Sequence, residues 1–151
     1  MISVVRNKIL LASISSLILG TTIYLLFRTS TLKVFKWLKI FEIDFVNSNL
    51  RRSSISYFAY LPKWMLFSLP DGLWIFSYVC AMVYIWNFKI HLQSICWIAI
   101  IPCIAIASEI GQATDLVPGT FDPVDLFFYF SGLTSPLLLI FKNKNLQTLK
   151  L

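Results

Sequence analysis

The chain has 151 residues, of which 58% are hydrophobic and only 13% charged, and this composition excludes an ordinary soluble globular protein. Its net charge of +6, from 13 Lys and Arg against 7 Asp and Glu, matches anionic lipid head groups, and no nucleic-acid-binding motif accompanies it. Length and composition therefore predict one membrane domain, residues 1–151, with membrane lipids and no nucleic acid as partners.

The first predicted element is a membrane helix over residues 9–27, an uncharged run long enough to cross about 30 Å of hydrocarbon. Basic residues flank this run on both sides, at Arg6, Lys8 and Arg28. A secretory signal peptide would need a small-residue cleavage site after the run, and the sequence that follows does not supply one. We therefore expect a retained helix.

An amphipathic helix is predicted next, over residues 32–41. Lys33, Lys36 and Lys39 recur every third residue, so a helix confines them to an arc of about 120° and leaves the remainder apolar. This pattern is typical of a helix that lies in the membrane interface with its lysines on lipid head groups. An amphipathic connector packed on its own bundle would show the same pattern, and both interpretations stay open.

Three more spans are predicted, over residues 72–88, 92–112 and 122–141. The first carries aromatic residues near both ends, as membrane-interface belts do, and Pro136 is expected to kink the last. Helices satisfy their backbone groups within each segment, as hydrocarbon requires. The predicted fold is therefore an all-α integral membrane bundle of four transmembrane helices plus an interfacial amphipathic helix in the 28–71 connection.

Sidedness depends on the 108–123 loop, which carries acidic residues and no Lys or Arg. Basic residues elsewhere divide almost evenly between the two sides, and so they do not decide the topology. A loop without positive charge is the easier one to translocate. We expect a multi-pass protein of the inner (cytoplasmic) membrane, with the 108–123 loop and the 28–71 connection facing away from the cytoplasm.

Most of the acidic residues have simple interpretations as helix caps or loop residues. Asp122-Pro123-Val124-Asp125 is typical of a helix start, because an Asp cap and a Pro in the first helical position precede a carboxylate near the positive end of the helix dipole. Asp71 precedes another apolar run and is interpreted as its cap. Asp115 is interpreted as a solvated loop residue.

Glu109 is different, because it is predicted near a helix C-terminus, where a negative charge is unfavourable. An ionisable side chain at membrane depth usually faces a bundle interior or a wet cavity, which makes a functional role the default hypothesis. The alternative is that Glu109 only reaches to the interface. We expect Glu109, Gln112 and Asp125, with Asp71 nearby, to converge on one polar pocket at the non-cytoplasmic end, because these helix ends share one layer of the membrane.

The order of these residues resembles the VanZ-like membrane proteins. Glu109-x-x-Gln112 is followed by a short loop with Pro and Gly, and then by Asp122-x-x-Asp125, which opens a final apolar helix containing Gly132. The resemblance covers the C-terminal half of the chain. It implies a small polytopic envelope protein, in a group linked through its founding member to glycopeptide-antibiotic resistance, and it implies no particular reaction.

Two functions stay open. In the first, the acidic pocket binds an envelope or lipid head-group ligand, or a partner protein, through Asp71, Gln112 and Asp122. In the second, a membrane-embedded enzyme acts on a lipid-linked envelope substrate with Glu109 and Asp125 as acid and base. The carboxylates come without a nucleophile and its base, which favours binding.

We expect no cofactor and assign no metal ligands, because the three cysteines lie in apolar runs without metal-ligand spacing. A Mg²⁺ or Ca²⁺ ion held by carboxylate and amide oxygens is a variant of the binding hypothesis. Besides membrane lipids, the partners considered are an envelope glycolipid, a membrane-protein partner and a second copy of this chain.

Overall fold

The computed structural model describes residues 2–89 and 91–148, and the side chains of residues 4–89 and 91–139. Within these residues the fold is all-α, as predicted, and contains no β-strand. A short 3₁₀ turn, Phe58–Tyr60, lies between α3 and α4. The α-helices in chain order are α1 (Ile2–Phe27), α2 (Lys33–Ile40), α3 (Asn49–Ser56), α4 (Lys63–Ile85), α5 (Leu92–Ala113) and α6 (Pro123–Thr148).

Three helices in the described part of the chain are long and apolar enough to cross a membrane: α1 over Val4–Phe27, α4 and α5. These spans indicate a membrane protein. In α6 the described apolar stretch, Pro123–Leu139, is shorter. Pro136 lies inside α6 and is buried, and the kink expected there stays a prediction. The fourth span likewise stays a prediction.

The predicted start of the second span at residue 72 is wrong, because α4 begins at Lys63 and runs through Pro70. A proline is tolerated inside a membrane helix when its neighbours satisfy the freed backbone groups. Asp71 consequently lies roughly 12 Å along α4 from Lys63, at 1.5 Å per residue. Asp71 is therefore not a helix cap, and its carboxylate lies deeper in the bundle than the sequence indicated.

Helix α4 is the centre of the bundle and packs against α1, α5 and α6. Its contact with α1 contains two buried serines, Ser13 and Ser77, and each hydroxyl donates a hydrogen bond of 2.8 Å to the other's carbonyl oxygen. These paired bonds satisfy both hydroxyls inside an apolar interface, where an unpaired hydroxyl would be costly.

The contact between α4 and α6 depends on two glycines that face each other. A Cβ on Gly132 would lie 2.5 Å from the carbonyl oxygen of Gly72, and a Cβ on Gly72 would lie 2.8 Å from the Cβ of Phe128. Both distances are shorter than atoms tolerate. Small residues allow helix backbones to approach closely in membranes, and here they bring the start of α6 against the middle of α4.

The order of contacts along the helices shows how they are oriented. Residues 13 and 20 of α1, and residue 28 just after it, meet residues 77, 70 and 67 of α4, so these two helices are antiparallel. Helix α6 runs parallel to α4, because Phe128 and then Gly132 meet successively later residues of α4. Helices α1 and α5 finish, and α4 and α6 begin, at the same end of the bundle. We call this the loop-rich end, because it carries both the 28–62 connection and the 114–122 loop.

Candidate ligand site at the loop-rich end

Glu109 connects the last turns of α5 to the first residue before α6. Its side chain is 3% exposed, and Oε1 accepts a hydrogen bond of 2.6 Å from the backbone N–H of Asp122. The expectation that no capping role fits Glu109 is therefore wrong, because it caps the neighbouring helix rather than its own. Its burial also excludes the alternative in which this side chain only reaches to the interface.

The capping interpretation holds for Asp122, whose Oδ1 accepts a hydrogen bond of 2.8 Å from the N–H of Val124. Asp125 is three residues on, where a capping-box side chain would accept the N–H of Asp122. Glu109 already takes that N–H. Oδ1 of Asp125 is instead buried without a hydrogen-bond partner among the described residues, so the capping interpretation fails for this atom.

Asp71 interacts electrostatically with both of these carboxylates and with one guanidinium. The charges that act on it are those of Arg28, Asp125 and Glu109. Glu109 and Asp125 therefore lie close enough for their charges to act on Asp71. Arg28 also belongs to this group. From the sequence it was identified only as a basic residue that flanks the first span.

The Arg28 side chain lies between two aromatic rings at the end of α1. Its guanidinium carbon is 4.9 Å from the ring centre of Phe67 and 5.5 Å from that of Tyr24. Nη2 lies 3.5 Å from the carbonyl oxygen of Phe67, and Nε is buried without a partner in the described structure. Cation–π contact with both rings holds this guanidinium, whose charge acts on Asp71.

A cavity of about 310 Å³ lies beside Asp71, between α4, α5 and α6. Its wall contains one carboxylate, two aromatic rings and three apolar side chains: Asp71, Trp74, Ile75, Ile101, Ala105 and Tyr129. Ile101 is also exposed on the outer surface of α5. The cavity therefore borders the side of the bundle, and Asp71 supplies its charge.

Gln112 and Asp115 take part in the 114–122 loop rather than in this cavity. A Cβ on Gly119 would lie 2.6 Å from the amide carbon of Gln112, so the glutamine side chain packs directly on the loop backbone. Asp115 is exposed and has a left-handed φ of 57°, while the N–H of Leu116 donates to the carbonyl oxygen of Gly111 at 2.9 Å. This arrangement is a Schellman motif that ends α5. The solvated position expected for Asp115 is found, and Gln112 does not reach the Asp71 cavity.

Arg51 is only 3% exposed, and its buried position was not predicted from the sequence. Its guanidinium donates hydrogen bonds to the carbonyl oxygens of Leu25 and Arg28 and lies 4.5 Å from the ring centre of Phe35. Burial lowers its pKa from the ordinary value, although a guanidinium remains cationic near neutral pH. Arg51 therefore caps the C-terminus of α1 and holds α2 and α3 at the loop-rich end. Nothing in the local sequence separates it from Arg52.

The amphipathic helix predicted over residues 32–41 is found as α2. Phe35 is its buried residue, whereas Lys33, Lys36 and Lys39 are exposed. Trp37 and Ile40 are exposed as well. The lysines are thus free to meet solvent or lipid, and α2 presents apolar side chains beside them.

Across the described residues, His, Cys, Asp and Glu side chains form no group of three that could hold a metal ion. No protein-family model, curated protein or solved structure matches the chain. Its function is therefore inferred from its own residues and their arrangement.

Proposed function

We propose that the chain is a VanZ-like integral membrane protein of the inner (cytoplasmic) membrane, with an acidic pocket on the non-cytoplasmic face that binds an envelope or lipid head-group ligand or a partner protein. One observation carries this proposal: Asp71, inside a helix long enough to cross a membrane, lines a cavity of about 310 Å³. A carboxylate kept at membrane depth by its surroundings usually serves a function.

The VanZ-like assignment is supported by the way in which the residues of the resemblance cooperate. Glu109 binds the backbone of Asp122, and Asp122 caps α6. Gly132 allows α6 to pack against α4 at Gly72, the residue that follows Asp71. The order of these residues therefore specifies one structural unit: the end of α5, the start of α6 and their contact with α4.

Four membrane helices, with α2 in the interface, suit this function. The described apolar stretch of α6 is roughly 25 Å long at 1.5 Å per residue, close to the thickness of a hydrocarbon core. The exposed lysines of α2 lie beside exposed Trp37, as in helices that bind head groups and insert an aromatic ring. With the 114–122 loop outside the cell, the pocket would face the envelope.

Binding is favoured over catalysis because Glu109 has a structural role. Its Oε1 is engaged by a backbone N–H, and Glu109 does not line the cavity. The alternative is a membrane-embedded enzyme acting on a lipid-linked envelope substrate. The unpaired buried Oδ1 of Asp125 favours that alternative, since a free carboxylate oxygen can accept a proton from a substrate. Asp71 is the residue that contacts the ligand in either case.

Native mass spectrometry tests the proposal by measuring the mass of any ligand that stays bound. The sample is the whole chain, purified from its membranes in a mild detergent. We expect a retained ligand mass with the wild type, and its loss with Asp71→Asn, which removes the charge and keeps the shape. Asp115→Asn is the matched control, because it removes an exposed loop carboxylate outside the cavity. Equal retention by all three proteins, or no retained ligand in any of them, would contradict the proposal.

A further inference from the structure

The wall of the Asp71 cavity suits one kind of charged group. Among its described wall residues, Asp71 is the one with a formal charge, and Trp74 and Tyr129 contribute aromatic surface. A carboxylate attracts a cation, and aromatic rings attract one as well through their electron-rich faces. The other wall residues, Ile75, Ile101 and Ala105, are apolar. These surroundings favour a cation that carries carbon groups.

The charges around Asp71 also favour a bound cation. Two of the groups that act on it, Glu109 and Asp125, are carboxylates, and one, Arg28, is a guanidinium. Arg28 is held between Phe67 and Tyr24. These three carboxyl groups are accompanied by one guanidinium, and a bound cation stabilises a carboxylate in a layer of low polarity.

An organic ammonium fits this wall better than a metal ion. Mg²⁺ and Ca²⁺ require six or more oxygen ligands in most sites, whereas this wall is mainly carbon. The cavity also borders the outer surface of α5 at Ile101, the surface that lipid chains would contact. Its volume of about 310 Å³ accommodates a head group and the first carbons of a chain.

We infer that the Asp71 cavity binds the ammonium group of an amphiphile, with the ammonium against the Asp71 carboxylate and the chain leaving past Ile101 toward the bilayer. This inference rests on the proposed ligand-binding function and names the chemical class of the ligand. An aminolipid and a soluble amine both carry an ammonium, and the chain length of the probe distinguishes these two sources.

The test uses three small probes and the whole chain in a neutral detergent, with native mass spectrometry as the readout. Dodecylammonium carries the charge and the chain, dodecanol carries the chain alone, and ethylammonium carries the charge with almost no chain. We expect one dodecylammonium per wild-type chain and at least about tenfold weaker binding of the other two probes, since dodecanol loses the charge contact and ethylammonium loses the apolar contacts of the chain.

Two variants and one control identify the cavity as the binding site. Asp71→Asn should lower dodecylammonium binding about tenfold or more, and Asp115→Asn should leave it unchanged. Ile101→Trp should also lower it, because the larger ring fills the rim of the cavity while the carboxylate stays in place. Ile101 is exposed, so this second variant remains informative even if Asp71→Asn fails to fold.

Several results would overturn the inference. If dodecanol binds as tightly as dodecylammonium, the cavity recognises the apolar chain and not the ammonium. If ethylammonium binds as tightly, the cavity recognises the ammonium and the ligand need not be an amphiphile. Unchanged dodecylammonium binding in Asp71→Asn or Ile101→Trp would place the ammonium elsewhere. If dodecylammonium does not bind but Asp71→Asn still loses the ligand retained from membranes, the ammonium inference fails and the proposed function stands. If that retained ligand is independent of Asp71, the proposed function itself fails.

Discussion

The carboxylate of Glu109, on α5, accepts the backbone N–H of Asp122 at the start of α6, with an oxygen–nitrogen distance of 2.6 Å. The first N–H groups of a helix have no partner within the helix and need an outside acceptor. A charged acceptor also faces the positive end of the α6 dipole. This one contact therefore closes the 114–122 loop, orders the start of α6 and leaves Asp125 free of its usual capping role.

Glu109→Ala should lower the free energy of unfolding by about 1–3 kcal/mol, because the partly buried, charged hydrogen bond to the N–H of Asp122 is lost. Glu109→Gln should cost less, since the amide oxygen can still accept the bond without the charge. Thermal unfolding of the purified protein in detergent measures both values. An alanine variant as stable as the wild type would show that the contact is not needed.

Asp122→Ala should cost about 0.5–2 kcal/mol of stability through loss of the N-cap, because Oδ1 no longer accepts the N–H of Val124. Asp122→Asn is the matched control and should stay close to the wild type, since asparagine caps equally well. The same unfolding measurement applies. If alanine and asparagine behave alike, capping is not the role of this side chain.

The arrangement of the site was predictable in part. That the end of α5 and the starts of α4 and α6 lie in one layer follows from connectivity, and Glu109 and Asp125 lie close enough for their charges to act on Asp71. The division of roles was not predictable, because sequence rules look for the partner of a cap within its own helix. Glu109 acts across 13 positions from another helix.

Gly132→Ala should destabilise the contact between α4 and α6 by roughly 1–3 kcal/mol, the usual cost of overpacking. The new methyl group would meet the carbonyl oxygen of Gly72 at 2.5 Å, and a backbone atom cannot move aside as a side chain can. Thr134→Ala, at an exposed position of the same helix, is the control. Equal unfolding temperatures for the two variants would contradict this packing.

Arg51→Lys should expose the 28–62 connection to proteolysis, because an ammonium cannot donate to two separated carbonyl oxygens in the planar geometry of a guanidinium. A local loss of about 1.4 kcal/mol would raise the cleavage rate about tenfold when opening is fast relative to cleavage. Limited proteolysis measures this rate. Arg52→Lys, at the exposed neighbour, should cleave like the wild type, and a similar change in both variants would argue against a specific cap.

The fold was predictable where helix ends carry chemical signals. The start of α6 at Pro123 follows the Asp-Pro pattern, and α5 covers the predicted run. The start of α4 was misplaced because Pro70, Asp71 and Gly72 together indicate a boundary in a soluble protein. In this bundle Pro70 is buried against Gly20 of α1, and the helix continues through it. Tertiary packing overrode the local signal.

Asp115→Cys, in a chain whose Cys80, Cys96 and Cys103 are replaced, should react with a membrane-impermeant maleimide in intact cells. The residue is exposed in the 114–122 loop, and a loop without Lys or Arg is expected outside the cytoplasm. Labelling intensity before and after permeabilisation is the measurement. Labelling that requires permeabilisation would reverse the topology and move the pocket to the cytoplasmic face.

Ser13 and Ser77 join α1 to α4 by two hydrogen bonds that run in opposite directions. A slide of one helical turn, about 5.4 Å, would separate both hydroxyls from their acceptors. Tilting of one helix about the serines leaves both bonds in place. The pair therefore fixes the register of α1 against α4 at residues 13 and 77, while it leaves the angle between the two helices free to vary.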